Sequence, residues 1–293
     1  MVDIRLAQKD DLPRQKELWK TCFGDEDDYI DFYFDNKYKE KQTAVLLWDE
    51  EIVAMATMIP AALVMENNKR FDLSMLYAIA THPGFQGKGL STQIMDFCHA
   101  YLEGQNQDMS ILVPAQESLF DFYEKRGYRD GFYIREVTLT RDQIMGLQGS
   151  KEGATITPTP PSSYNTIRRD QLEGKVYIDY ANEEIAYQKQ LCQKYGGDLY
   201  GLEVGETRGC AVVEVMSETE VLIKEILMPD HLVKEGIRQI ARVLPAQKYR
   251  VRLPAGLGAH LGGQVRHFGM IKGFKEKNII PLDARGYLGI AYD

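Results

Sequence analysis

No stretch of this chain offers the roughly 20 consecutive apolar residues that a bilayer-spanning helix needs, so a membrane partner is not expected. A secretory leader is missing as well: "MVDIRLAQKDDLPRQKELWK" is charged from its third residue and has no apolar core before a small-residue cleavage site. The expected compartment is the cytoplasm. Cysteine is scarce, with only Cys22, Cys98, Cys192 and Cys210 among 293 residues. They form no C-x-x-C pair and no zinc-type histidine spacing accompanies them, so they read as reduced core thiols and no metal is expected. Positive charge is also short, 35 Lys and Arg against 43 Asp and Glu, a net charge of -8. That balance disfavours nucleic acid, whose phosphates need basic patches, and favours neutral or cationic small substrates.

What is present is an ordinary globular composition, 44% hydrophobic and 27% charged, over a length that suggests two domains at about 100 to 200 residues each. Residues 3 to 40 carry helical spacing through Leu12, Leu18, Trp19, Phe23, Tyr29, Phe32, Tyr33 and Phe34, which predicts two helices broken near Gly24. From Thr43, "TAVLLW", "IVAMATMIPAALVME" and "RFDLSMLYAIAT" predict three consecutive antiparallel strands. Leu90, Ile94, Phe97 and Tyr101 then share one helix face, ending near Gly104. A strand "MSILVPA", a helix "SLFDFYEKRGY" and a strand "GFYIREVTLT" complete residues 1 to 140. Residues 141 to 163, with three prolines among glycine, serine and threonine, read as a linker.

Residues 164 to 293 repeat features of the first half. "VRLPA" at 251 to 255 resembles "ILVPA" at 111 to 115, "GMIKGF" at 269 to 274 resembles "GYRDGF" at 127 to 132, and "LIKEILMP" precedes a helix as "LYAIATHP" does. From Pro83 to Ala115 is 32 positions and from Pro229 to Ala255 is 26, so the second copy lacks about the length of "QGKGLS".

The segment "ATHPGFQGKGLSTQI", residues 80 to 94, carries the chemistry. A strand that enters a glycine-rich turn and opens a helix gathers backbone N–H groups at the positive end of the helix dipole, a geometry suited to phosphate. The turn is neither a dinucleotide fingerprint, since Thr92 stands where a third glycine would, nor a nucleotide P-loop, since Lys88 lies between glycines. Lys88 reads either as an added charge or as a solvated side chain.

The full string "IATHPGFQGKGLS" resembles the acetyl-coenzyme A signature of the GCN5-related N-acetyltransferase (GNAT) family, with Pro83 followed by Gln86, Gly89 and Ser91 in Q-x-x-G-x-[GAS]. Ser91 departs mildly from the usual Gly or Ala. "LFDFYEKRGY" matches the family's F-Y-x-x-x-G-[FY] segment, and the resemblance covers residues 3 to 140. It implies an α/β (α+β) architecture of tandem GNAT folds, each a mixed, mostly antiparallel sheet flanked by helices. It implies that acetyl-coenzyme A is the cosubstrate, with backbone N–H groups of Gln86, Gly87, Lys88, Gly89, Leu90 and Ser91 on its pyrophosphate and the strand Ile79, Ala80 and Thr81 along its pantetheine arm. A backbone N–H beside splayed strands would polarise the acetyl carbonyl, and a primary amine of a small molecule would attack directly. Tyr123 occupies the family's general-acid position; its bland alternative is a packed core tyrosine.

Four residues before Gly269 stands Val265 rather than tyrosine, so the second half reads as a degenerate, non-catalytic copy that shapes the acceptor site. The tandem arrangement resembles the enhanced-intracellular-survival acetyltransferases, without room for their sterol-carrier-like domain. Relatives of that type place a terminal carboxylate in the active site, which implies a catalytic role for Asp293 through its side chain or α-carboxylate, the alternative being a strand that ends. Asp25, Glu26, Asp27 and Asp28 read either as a lure for a cationic amine or as a solvated face. His82 adjoins the proline turn and His99 is placed on a helix surface, neither with a role. An acetyl-coenzyme A sensor and a tRNA-dependent aminoacyl ligase of the same tandem fold are the rival functions. An oligomer is compatible with the sequence.

Overall fold

The computed structural model describes residues 1–147, 153–274 and 285–292. The chain opens with a strand, β1 (Val2–Leu6), ahead of the helices α1 (Leu12–Phe23) and α2 (Asp27–Asn36). β1 was not anticipated. Gly24 separates the two helices at φ +73, a left-handed cap that a side chain would strain. The strands β2 (Thr43–Trp48), β3 (Glu51–Val64) and β4 (Arg70–Thr81) follow as antiparallel neighbours. Then come α3 (Leu90–Gly104), β5 (Met109–Leu112), α4 (Ser118–Glu124) and β6 (Arg129–Thr140).

Residues 141 to 163 contain a helix, α5 (Arg141–Gly146), and an edge strand, β7 (Ala154–Pro158), before α6 (Pro161–Leu172) begins. The prolines suit those places. Pro158 ends a strand with a free edge, and Pro161 opens a helix whose first N–H needs no partner. The remaining elements are β8 (Tyr177–Asp179), α7 (Asn182–Lys194), β9 (Asp198–Val204), β10 (Thr207–Ser217), β11 (Glu220–Leu227), α8 (Val233–Val243), β12 (Lys248–Pro254) and β13 (Gln264–Gly273).

One 13-stranded sheet runs β1-β2-β3-β4-β5-β13-β6-β12-β11-β10-β9-β7, with β8 against β3. Among the named strands of the described residues, β4 with β5 and β11 with β12 pair in parallel, each across a helix, as a crossover requires. The fold is therefore mixed α/β with a mostly antiparallel sheet flanked by helices. Its centre is an exchange. β13 from the second half sits between β5 and β6, while β6 from the first half sits between β12 and β13.

That exchange corrects one sequence match. β6 starts two residues after Gly127 and β13 two after Gly262, so Gly262 is the counterpart of Gly127, whereas Gly269 lies within β13 opposite Phe132. The residue four before Gly262 is Gly258, so Tyr123 still has no tyrosine counterpart.

A large core joins the halves, with Trp19, Tyr33, Ile59 and Met75 sharing a cluster with Tyr164, Ile178, Leu199 and Tyr287. Cys98, Cys192 and Cys210 are buried and Cys22 is partly so, all as free thiols. His99 is not on the helix surface but buried, 2.9 Å from the Tyr128 hydroxyl, which is 2.7 Å from Ser110, with Lys272 Nζ 3.4 Å from its other ring nitrogen. Burial, reinforced by the Lys272 charge, lowers its pKa from 6.5 to about 3. The depressed value means the unfolded chain takes up a proton first. Stability from this group is thus complete above pH 6.5 and lost as pH falls toward 3. The loss is on the order of a few kcal/mol. Urea unfolding of wild type and His99→Phe at pH 7 and 4.5 should show a smaller acid loss in the variant; equal losses would count against this origin.

Candidate active site

The site begins with an irregularity in β4. Its ladder to β3 is regular through Tyr77 opposite Thr57 and resumes at Ala80 opposite Met55, so β4 carries one extra residue between them. Ala78, at φ +48, absorbs it. Such a bulge takes the backbone at Ala78 and Ile79 out of the ladder and makes it available to a ligand. On the other edge, β4 meets β5 only at Ser74 with Ser110 and Met75 with Ile111, then diverges. Leu76 to Ile79 and Leu112 to Ala115 form the two sides of the opening, part of a cavity of about 810 Å³.

Thr81 ends β4, and the glycine-rich turn follows at once. Gln86 Nε2 donates to the Thr81 carbonyl at 3.1 Å, tying the turn to the strand. His82 Nδ1 accepts from Gly84 N at 3.2 Å, so His82 has a local structural use. Gly87 and Gly89 take φ +77 and +76, and a Cβ at either would meet nothing within 4 Å. Backbone conformation, not crowding, is what demands glycine there. The N–H groups from Gly87 to Thr92, spanning Lys88, Leu90 and Ser91, have no backbone acceptor among the described residues, and the first helical bond is Gln93 N to Gly89 O. This concave run of donors at the start of a 15-residue helix fits a pyrophosphate. Lys88 folds back over Trp48, 5.0 Å from the ring centroid.

Arg126 was missed in the sequence. Its Nε donates to Thr92 Oγ1 at 2.9 Å and its guanidinium stacks 3.3 Å over Phe122, setting a cation beside the first turn of α3. Only the tertiary fold brings positions 92 and 126 together.

Tyr123 lines the cavity from α4. Its ring packs 5.2 Å from Phe122 and 5.9 Å from Tyr128, and its hydroxyl has no hydrogen-bond partner among the described residues. Burial, opposed by the Arg126 charge, pushes its pKa up to about 12.

The opposite wall comes from the second half: Leu191, Glu214, Lys224, Arg252, Phe268 and Tyr292 are among its residues. Lys224 Nζ pairs with Glu214 at 3.0 Å. Of the acidic run, only Asp25 reaches the cavity, where it accepts from Trp19 Nε1 at 2.7 Å. Asp27 and Asp28 pair with Lys20 and Lys194, and Glu26 is exposed. Tyr292 stacks on Tyr187 at 5.6 Å and donates to the Glu184 carboxylate. Asp293 lies outside the described residues.

The corresponding turn between β11 and α8 has no glycine. Asp230 there accepts the Gly258 N–H at 2.6 Å, so a carboxylate stands where the first half gathers donors. The charge has the wrong sign for a phosphate.

Residues 3–130 match the family model of the acetyltransferase (GNAT) domain. That segment is similar to GNAT acetyltransferase domains. The fold likeness extends over both halves. A probable N-acyltransferase from Enterococcus faecalis V583 is 14% identical with TM-score 0.74, covering 92% of this chain and 72% of that one. A GCN5-related N-acetyltransferase from Anabaena variabilis is 13% identical with TM-score 0.74, covering 92% and 72%. Eis1 from Mycobacterium abscessus is 10% identical with TM-score 0.67, covering 92% and 73%, which fits the tandem type. No curated protein sequence matches the chain. No described helix is long and apolar enough to cross a membrane.

The glycine turn makes a direct prediction. Gly89→Val places a β-branched residue at φ +76, in the middle of the donor run, and adds bulk where a ligand would approach. The expected result is an affinity for acetyl-coenzyme A lower by about 100-fold on calorimetric titration, two tenfold steps of ~1.4 kcal/mol each. Affinity within about threefold of wild type would remove the turn from the cofactor site.

Proposed function

We propose that the chain is an acetyl-coenzyme A-dependent N-acetyltransferase that modifies a primary amine of a small molecule by direct attack. Residues 1–140 catalyse, and residues 164–293 form a degenerate copy that shapes the acceptor wall. One observation carries the reading: a single cavity has the bulged, splayed edge of β4 and Tyr123 on one side and second-half residues on the other.

Acetyl-coenzyme A supplies an acyl group already activated as a thioester. The chain's own residues do the rest. Gly87 to Thr92 offer N–H groups to the pyrophosphate, the Gln86 N–H being taken by the Pro83 carbonyl at 3.3 Å, and Ile79, Ala80 and Thr81 offer backbone groups to the pantetheine arm. The backbone freed at the Ala78 bulge is the donor for the acyl carbonyl. Tyr123 holds a proton on its hydroxyl for the departing thiolate. Asp293, next in the chain to cavity-lining Tyr292, is the candidate acceptor of the ammonium proton.

The test combines calorimetric binding of acetyl-coenzyme A with a thiol-release assay across primary amines, amino acids and peptides. Amine-dependent thiol release with a mass increase on the amine supports the reading. Tight binding without release for any amine overturns it in favour of a sensor. tRNA binding without coenzyme A binding would instead indicate the aminoacyl ligase.

A further inference from the structure

We propose that the acceptor is a monoamine with an apolar body of aromatic size, not a polycation; this rests on the N-acetyltransferase reading above. Phe23, Tyr195 and Met216 are 43%, 41% and 51% exposed, among the few large hydrophobic side chains the described chain leaves in solvent, and all three line the acceptor cavity. They arrive from separate places: the end of α1, the residue after α7 and the far end of β10. Exposed apolar side chains converging on the mouth of one cavity are the pattern of a surface covered by a ligand.

Charge narrows the class further. The cavity's charged side chains are Asp25, Glu214, Lys224, Arg252 and Arg266, three of them cationic. Glu214 is engaged by Lys224. Asp25 receives the Trp19 indole N–H and has no cationic partner among the described residues. Lys224 pairs with Glu214, and Arg252 and Arg266 both pair with Glu136, so one ammonium finds Asp25 and a second finds no lining carboxylate without a cation already beside it. The rest of the acceptor is best apolar, to cover the three exposed side chains.

The experiment measures thiol release by the full chain with acetyl-coenzyme A and methylamine, 2-phenylethylamine or spermidine. The expected kcat/KM for 2-phenylethylamine exceeds that for methylamine by about 30-fold, the gain from burying a phenyl group, and also exceeds that for spermidine. Met216→Glu and Tyr195→Ser alter exposed positions, so retained melting temperatures check that they fold. Each should raise KM for 2-phenylethylamine by about tenfold with unchanged calorimetric affinity for acetyl-coenzyme A. Thiol release that prefers spermidine overturns this inference and leaves the N-acetyltransferase reading standing. Bound acetyl-coenzyme A with no release for any amine overturns both. Rim variants that change the sedimentation of the protein but not KM overturn the inference by assigning the rim to contacts between copies.

Discussion

Tyr123→Phe should lower kcat by about 100-fold or more, the usual scale for loss of a positioned general acid, with acetyl-coenzyme A affinity and thermal stability unchanged. The substitution isolates the hydroxyl. Phenylalanine keeps the ring against Phe122 and Tyr128, and no hydrogen bond within the described residues is broken. The pH dependence gives a second readout. Because burial raises the phenol from 10.0 to about 12, its protonated form, the one that donates, persists through neutral and mildly alkaline pH. The alkaline fall in kcat assigned to Tyr123 is therefore displaced upward toward pH 12 and should be absent from Tyr123→Phe. Turnover equal to wild type would return Tyr123 to the role of a packed core residue.

Local patterns were the legible part of the sequence. The glycine turn, the helix after it and the strand that follows each lie within a short stretch, and hydrophobic period and glycine spacing report on such stretches. Long-range placement was not legible. β1 is only five residues, too short for its V-D-I-R-L alternation to stand out from the helical spacing that follows. The exchange of β6 and β13 depends on pairing across more than a hundred residues, and no local signal encodes it.

The mistaken alignment of "GYRDGF" with "GMIKGF" shows why letters mislead. Gly127 is glycine because its φ is +83, whereas Gly269 is glycine because a Cβ would press on Leu288 at 2.8 Å and the Leu112 carbonyl at 3.2 Å. Identical residues answered different physical demands. The same limit hid Arg126 and the burial of His99, whose partners come from other elements. It left the acceptor wall unnamed apart from Asp25, since residues such as Glu214, Phe268 and Tyr292 meet there only after folding.

Arg168→Met should destabilise the protein by about 3 to 5 kcal/mol, the range for breaking a buried ion pair from one side. Arg168 and Glu225 have no side-chain exposure and meet at 2.9 Å. The Tyr164 hydroxyl donates to the same carboxylate at 2.6 Å, while Arg168 donates to the carbonyls of Ile178 at 2.9 Å and Leu288 at 3.4 Å. One guanidinium thus joins α6, β11, β8 and the tail segment that continues to Tyr292. Gly289 closes over the pair, where a Cβ would collide with the Glu225 carboxylate and come within 2.9 Å of Arg168. Removing the guanidinium alone leaves a carboxylate buried without its cation. Removing both charges with Arg168→Met and Glu225→Leu leaves no such charge, so the double variant should be more stable than the single one in urea unfolding. A double variant no more stable than Arg168→Met would mean that packing, not the unpaired charge, sets the cost. The single variant should also raise KM for the acceptor more than it alters acetyl-coenzyme A binding, because the tail it loosens brings Tyr292 to the acceptor wall and not to the glycine turn.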